Sequence, residues 1–295
     1  MRSQVFPVFL LRIIALTVLS AGAALAQVQV EVRMAKSQFV AHEEVNAIVT
    51  ITNRAGRDLV LQGRGNLNWL SFEVWDSQGR PVSPRRGGAI VQAARVPAGQ
   101  SVSKKIDLNR LFPVTEPGRY RARAAVRLFE GNGGVFGSNT LGFNITQARA
   151  LFTQRVGLAG TQAVREYRVL TFSGNQKTEL YVQVEDVKTG RVLQTQPLGE
   201  ALMFRKPNAT VDGNNNLHLL YLVNPSTFAR IRMSPEGRLL GRDFHKRGTT
   251  GTPRLVTFAN GEVQVAGGIP YDPNARREAE GKIRRLSERP AVLFE

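Results

Sequence analysis

Short segments of alternating apolar and polar residues follow one another along most of the chain. Val28, Val30 and Val32 place apolar side chains at every second position, and residues 45–53 continue the same alternation. Successive side chains of a strand point to opposite faces of a sheet, so this period predicts strands with one buried face. Turn residues separate the segments, for example at 76–79. We therefore predict an all-β protein built from antiparallel sheets.

The strand segments fall into two regions. Residues 27–147 have the pattern of an antiparallel β-sandwich. Residues 148–163 carry few strand signals, and we predict a linker there. A second β-rich region follows over 164–272. Residues 273–295 form a charged tail without a sustained apolar face, for which we predict a loose helix or disorder.

Several short motifs of the first region occur in a recognisable order. A strand ends in Ile51-Thr52-Asn53, and the turn 96–100, the segment 106–108 and the sequence Glu116-Pro117-Gly118-Arg119-Tyr120 follow. This succession resembles the immunoglobulin-like modules of exported bacterial proteins, including those similar to the BsuPI proteinase-inhibitor family. The resemblance implies an immunoglobulin-like sandwich. It does not carry over an inhibitory role, because this architecture hosts many unrelated functions.

The second region contains similar strand pairs at a regular distance. The pairs that begin at Pro207 and Pro253 are 46 residues apart, and 179–190 has the same character. These stretches resemble β-propeller blades, which have about 40 to 50 residues each. Residues 164–270 hold two blades and part of a third, whereas a ring needs at least about four. We predict a propeller-like stack that stays open or is completed by the first domain or a second subunit; alternatively, the hairpins only look alike.

The N-terminal 26 residues have the pattern of a secretory signal. Arg2 precedes an apolar run from Val5 to Val18 that Arg12 interrupts, and Ala24-Leu25-Ala26 matches the small-x-small cleavage pattern. We predict cleavage between Ala26 and Gln27 and a secreted or periplasmic protein. No later stretch approaches the ~18 apolar residues of a membrane span, so none is predicted.

The chain is strongly basic. Its formal charge is +17, and loss of Arg2 and Arg12 with the signal leaves +15. Such a charge favours anionic partners, and export makes envelope polymers more accessible than genomic nucleic acid, which we do not expect as a partner. A high content of arginine also arises in GC-rich genomes without any selected site.

One strand concentrates these cations. If Tyr120, Ala122, Ala124 and Val126 face the core, their neighbours occupy the opposite face with successive stems about 7 Å apart. We call these neighbours the arginine stripe: Arg119, Arg121, Arg123 and Arg127. The stripe is our candidate anion-binding site. A solvated outer face of a strand would have the same pattern. Its strand has no aromatic residues on that face, so base stacking is not predicted.

Residues with catalytic or metal-binding chemistry are scattered. The chain has no cysteine, and His42, His218 and His245 lie in different segments. Asp212-Gly213-Asn214-Asn215-Asn216 alternates like the start of a calcium loop, but Leu217 stands where that loop needs glycine. We interpret it as a hairpin turn and His218 as a sheet residue. We predict no catalytic, cofactor-binding or metal-binding residues and no cofactor.

Three functions are compatible with these observations. We favour an exported, non-enzymatic binding or scaffolding protein that associates with an anionic envelope polymer or a protein partner. A glycan-active hydrolase or lyase is an alternative, for which Asp186, Asp212 and Asp243 are candidate acids. A secreted proteinase inhibitor is a third, based on the fold resemblance alone.

Overall fold

The computed structural model describes residues 28–86, 91–130, 133–174, 177–249 and 251–273. The predicted signal segment 1–26 and nearly all of the predicted tail lie outside these residues. The chain divides into two compact units between Thr146 and Gln147. We call them unit 1 and unit 2. Both are built almost entirely from antiparallel strands, which confirms the all-β prediction.

The described part of unit 1 contains nine strands and one helical turn. The strands are β1 Val28–Met34, β2 Gln38–Val40, β3 Asn46–Asn53, β4 Leu59–Leu61, β5 Leu70–Trp75, β6 Ala94–Val96, β7 Ser101–Asp107, β8 Gly118–Leu128 and β9 Gly134–Thr146. The helical turn, α1, covers Leu108–Leu111.

Unit 1 is a sandwich. One sheet has the order β1-β3-β7, the other has the order β2-β9-β8-β5, and β4 pairs with β6. Among the described strands of unit 1, only β2 and β9 run parallel to each other. One apolar cluster takes buried side chains from both sheets, including Ile51 of β3 and Val126 of β8, each with no exposed surface. Burial of these two apolar faces is the main favourable contribution to folding.

Two side chains explain motifs in the sequence of unit 1. Asn53 is fully buried, and its amide donates to the carbonyl oxygens of Arg57 at 2.7 Å and Val96 at 2.9 Å. The Tyr120 hydroxyl donates to the carbonyl oxygen of Glu116 at 3.0 Å. The second contact has the geometry of a tyrosine corner, which closes the connection before a strand in many β-sandwiches.

The described part of unit 2 contains eleven strands. They are β10 Arg149–Gly157, β11 Val164–Gly174, β12 Lys177–Asp186, β13 Arg191–Glu200, β14 Asn208–Val211, β15 Leu217–Asn224, β16 Thr227–Met233, β17 Leu239–Arg247, β18 Arg254–Thr257, β19 Val263–Ala266 and β20 Gly268–Pro270.

Strand β10 corrects the prediction of a linker over residues 148–163. It pairs with β11 from Arg149 to Gly157, with a register shift between Ala150 and Phe152. The segment is therefore the first strand of unit 2. Its sequence shows little alternation because Val156 is its only buried residue.

The sheets of unit 2 stack in chain order. Strands β10 to β13 form one sheet, β14 to β17 with β20 form the next, and β18 pairs with β19. Tyr167 and Val182 of the first sheet pack in one cluster with Leu219 and Ile231 of the second. A smaller cluster around Phe228 joins the second sheet to the β18–β19 hairpin.

Two hairpins at the predicted 46-residue distance have the same turn. In the β14–β15 turn, Asp212 N donates to Asn216 O at 3.0 Å, and Asn215 adopts a φ of 64°. In the β18–β19 turn, Phe258 N donates to Glu262 O at 2.8 Å, and Gly261 has a φ of 80°. Positive φ favours Asn and Gly, which explains why both turns use them. The interpretation of Asp212–Asn216 as a hairpin turn is confirmed.

Candidate functional site

The arginine stripe lies on the outer face of strand β8. The alternate residues Tyr120, Ala122, Ala124 and Val126 are all buried in the sandwich core, as predicted. Arg119, Arg121, Arg123 and Arg127 are all exposed. Strand β8 is central in its sheet, between β9 and β5, so the stripe crosses the middle of an open face rather than an edge.

The charges of the stripe are mostly uncompensated. Arg123 Nη2 lies 2.7 Å from Glu73 Oε2, and both side chains are about half exposed. Such an exposed pair contributes little to stability because water screens it. No carboxylate of the described residues lies within 4.0 Å of a cationic nitrogen of Arg119, Arg121 or Arg127. Three positive charges on this face are therefore available to an external anion.

The register of the sheet adds an aromatic residue to this face. Strand β5 places Trp75 directly opposite Arg121, and strand β9 places Gly142 opposite Arg121 on its other side. Residues directly opposite each other in antiparallel strands share a face. Trp75 is partly exposed. Strand β8 itself has no aromatic residue on this face, as predicted, and the neighbouring strand β5 supplies one.

The neighbours of Arg119, Arg121 and Arg123 on strand β9 are small or polar. Thr140 lies opposite Arg123, and Asn144 lies opposite Arg119. Gly142 adds no side chain between them, and a Cβ atom there would have no neighbour within 4 Å. The outer face thus combines guanidinium donors, a hydroxyl, an amide and the ring of Trp75 with the carboxylate of Glu73 and the exposed side chain of Val135. Such a surface suits an extended anionic polymer better than a compact ligand that needs a deep pocket.

Unit 2 brings together several of the remaining candidate residues. Asp212 Oδ1 accepts from the backbone N–H groups of Asn214 at 2.9 Å and Asn216 at 2.8 Å. Its Oδ2 accepts from Asn216 Nδ2 at 3.1 Å and lies 2.9 Å from His218 Nε2. Burial raises the pKa of Asp212, but these hydrogen bonds outweigh it and hold the pKa below its usual value. The carboxylate is used to close the turn.

His218 is held in a single neutral tautomer. Arg230 Nη2 lies 2.9 Å from His218 Nδ1, and because an arginine can only donate, Nδ1 must accept. Nε2 therefore carries the hydrogen and donates to Asp212. Burial lowers the pKa of His218, and the positive charge of Arg230 acts in the same direction, while the hydrogen bond to Asp212 opposes them. Both ring nitrogens are engaged, which confirms the interpretation of His218 as a satisfied sheet residue.

The pocket above this group has mixed charge. Its volume is about 450 Å³, and Arg230, Arg232, Asp212 and Glu262 are among its lining residues. Arg230 also donates to the carbonyl oxygen of Val263 at 2.6 Å, which leaves it less free than the cations of the stripe. With two cations and two carboxylates, the pocket has no net preference for an anion.

The other candidate acids also have partners. Asp186 pairs with Arg165, and its Oδ1 accepts from the backbone of Thr189 at 3.0 Å. Asp243 lies 3.8 Å from Arg232. His42 and His245 lie in unit 1 and unit 2 respectively. Among the described residues, no group of three or more histidine, aspartate or glutamate side chains could hold a metal ion.

Comparisons with known proteins add little to this picture. No family model matches the sequence, and no curated protein matches it. Among solved structures, the sporulation control protein Spo0M from Bacillus subtilis matches with a TM-score of 0.26 and 9% identity, over 57% of this chain and 83% of that chain. A likeness at this level carries no argument about function. No helix in the described ranges has the length and apolar character needed to cross a membrane.

Proposed function

We propose that the protein is an exported, non-enzymatic binding protein that holds an anionic envelope polysaccharide on the outer face of strands β5, β8 and β9. The observation that carries this proposal is the group of three arginines without ion-pair partners on an open sheet face. Guanidinium groups bind carboxylates and phosphates through two parallel hydrogen bonds, which gives them geometric preference as well as charge.

A sugar polymer fits this face better than a protein partner. The ring of Trp75 lies beside Arg121, so a sugar ring can pack on the indole while its acidic substituent reaches the guanidinium. Gly142 has no side chain, which leaves room for an extended polymer between the neighbouring side chains. An interface with a folded protein would instead need a larger apolar centre, which the polar neighbours Thr140 and Asn144 do not provide.

The contacts of the candidate catalytic acids favour a binding role over catalysis. Asp212 is held by three hydrogen bonds within its own turn and by a fourth with His218, and Asp186 pairs with Arg165. A glycosidase needs two carboxyl groups on either side of the scissile bond, one of them free to donate a proton. The proposal also includes an immunoglobulin-like fold for unit 1 and export directed by the N-terminal signal.

Binding of defined polymers tests the proposal. Residues 27–295 should bind polygalacturonate, a polymer of acidic sugars, in isothermal titration calorimetry and should not bind dextran, a neutral polymer. Raising the ionic strength from about 0.01 M to about 1 M shortens the screening length from about 30 Å to about 3 Å, so the affinity should fall steeply. Equal binding of dextran, or an affinity that is independent of salt, would contradict the proposal.

A further inference from the structure

Unit 2 contains a second pocket whose chemistry differs from that of the stripe. It has a volume of about 310 Å³ and lies where strands β14 to β16 meet the start of β18. This volume is at the lower end of the range of about 300 to 1,000 Å³ that is typical of small-molecule sites. The pocket is independent of the polymer-binding face of unit 1.

The rim of this pocket is cationic. Arg205, Lys206 and Arg254 line it, and all three are exposed. Within the described part of the chain, no carboxylate lines the pocket or forms an ion pair with these three side chains. Three positive charges around one small cavity repel one another, so an anion that enters the cavity gains from all of them.

Part of the pocket, which we call its floor, is apolar, while Asn208, Thr252 and the three cations line the rest. Leu220, Leu222 and Phe228 line the floor, and they form the small buried cluster that joins strands β15 and β16 to the β18–β19 hairpin. Phe204 lies next to Arg205 in the sequence and is 87% exposed. A ligand with an apolar body can therefore contact carbon atoms at the floor while its charge stays at the rim.

Both walls of the pocket are fixed by backbone contacts. Leu202 N donates to Leu222 O at 2.8 Å, which anchors the segment that carries Arg205 and Lys206 to strand β15. On the other side, Gly267 has a φ of 76°, and a Cβ atom there would lie 2.7 Å from Thr252 O. Only glycine permits this close approach, which positions Thr252 and the following Pro253 and Arg254. The cations are thus presented by an ordered framework.

We propose that this pocket binds a small amphipathic anion, a molecule with one phosphate or carboxylate group on an apolar body. Neither part of the ligand suffices alone. The rim supplies charge-assisted hydrogen bonds, and the floor supplies apolar contact that a free inorganic ion cannot use. This requirement distinguishes the pocket from the stripe, which has no apolar cavity.

Calorimetry with three probes tests this proposal on residues 27–295. 1-Naphthyl phosphate has both parts of the ligand, inorganic phosphate has only the charge, and 1-naphthol has only the apolar body. We expect 1-naphthyl phosphate to bind at least about tenfold more tightly than either of the other probes, because inorganic phosphate lacks the apolar burial and 1-naphthol lacks the charge-assisted hydrogen bonds.

Variants locate the binding. The substitutions Arg205→Gln, Lys206→Gln and Arg254→Gln together should weaken 1-naphthyl phosphate binding by about tenfold or more. A control with Lys188→Gln, Arg191→Gln and Arg238→Gln removes the same charge from exposed positions of unit 2 and should bind like the wild type. All six side chains are exposed, so both variants should keep the melting temperature of the wild type.

Four results would overturn the inference. They are an absence of 1-naphthyl phosphate binding by the wild type, equal affinity for inorganic phosphate, equal affinity for 1-naphthol, and equal weakening in the control variant. Failure of polygalacturonate binding would bear on unit 1 alone and would leave this site unaffected. The two proposals can therefore fail separately.

Discussion

Replacing the whole arginine stripe with glutamine should weaken the binding of polygalacturonate by roughly 30-fold or more at low salt. Exposed charge pairs contribute up to about 1 kcal/mol each, and three of the four arginines have no ion-pair partner among the described residues that competes with the ligand. Glutamine keeps much of the side-chain length and its polarity but removes the charge. The affinity, measured by calorimetry, should also depend less on salt in this variant than in the wild type.

The strong overall charge of the protein requires a matched control for this experiment. Arg54, Arg57, Arg64 and Lys105 are exposed cations of unit 1 outside strand β8, and none has an ion-pair partner among the described residues. Changing these four to glutamine removes the same net charge. We expect this control to lose only a small part of the affinity. Equal losses in the two variants would mean that net charge, and not the stripe, attracts the polymer.

The substitution Asp212→Ala should lower the free energy of unfolding by about 2 to 4 kcal/mol. Hydrogen bonds to a charged group contribute about 1.5 to 3 kcal/mol each, and a buried partner left without one costs more. The carboxylate closes the β14–β15 turn and holds His218, which is itself 4% exposed. Denaturant unfolding of the wild type and the variant measures the difference.

Asp243→Ala is a suitable comparison for this effect. Its carboxylate is 46% exposed and lies 3.8 Å from Arg232, so its removal should change stability by less than about 0.5 kcal/mol.

The same unfolding assay also tests whether the β14–β15 turn binds calcium. Calcium should not change the unfolding of the wild type. Stabilisation by calcium in the wild type but not in Asp212→Ala would show that the turn is a metal site.

Local patterns predicted the parts of this protein that depend on neighbouring residues. The alternation from Tyr120 to Val126 gave the correct buried face of β8, because a period of two is a direct consequence of strand geometry. The sequence Asp212-Gly213-Asn214 correctly predicted the β14–β15 hairpin turn, because this turn needs a residue with positive φ and Asn215 supplies it. Both features are decided within a few residues.

Features that depend on pairing between distant segments were missed. The sequence of strand β10 has little alternation and predicts part of a linker, whereas the pairing with β11 defines the segment as a strand. Trp75 reaches the stripe only through the register of β5 with β8. The cationic pocket joins Arg205 to Arg254, which are 49 positions apart. The sequence Phe204-Arg205-Lys206 places an aromatic residue beside two cations, but many loops share this pattern.

Arginine footprinting tests the central proposal most directly. A dicarbonyl reagent modifies exposed guanidinium groups, and mass spectrometry reports the rate at each residue with and without polygalacturonate. We predict that the polymer slows modification of Arg121 and Arg127 several-fold, while Arg54 and Arg57 react as before and dextran changes none of them. Uniform protection of all four arginines, or protection of Arg54 and Arg57 instead, would contradict a polymer-binding face on strand β8.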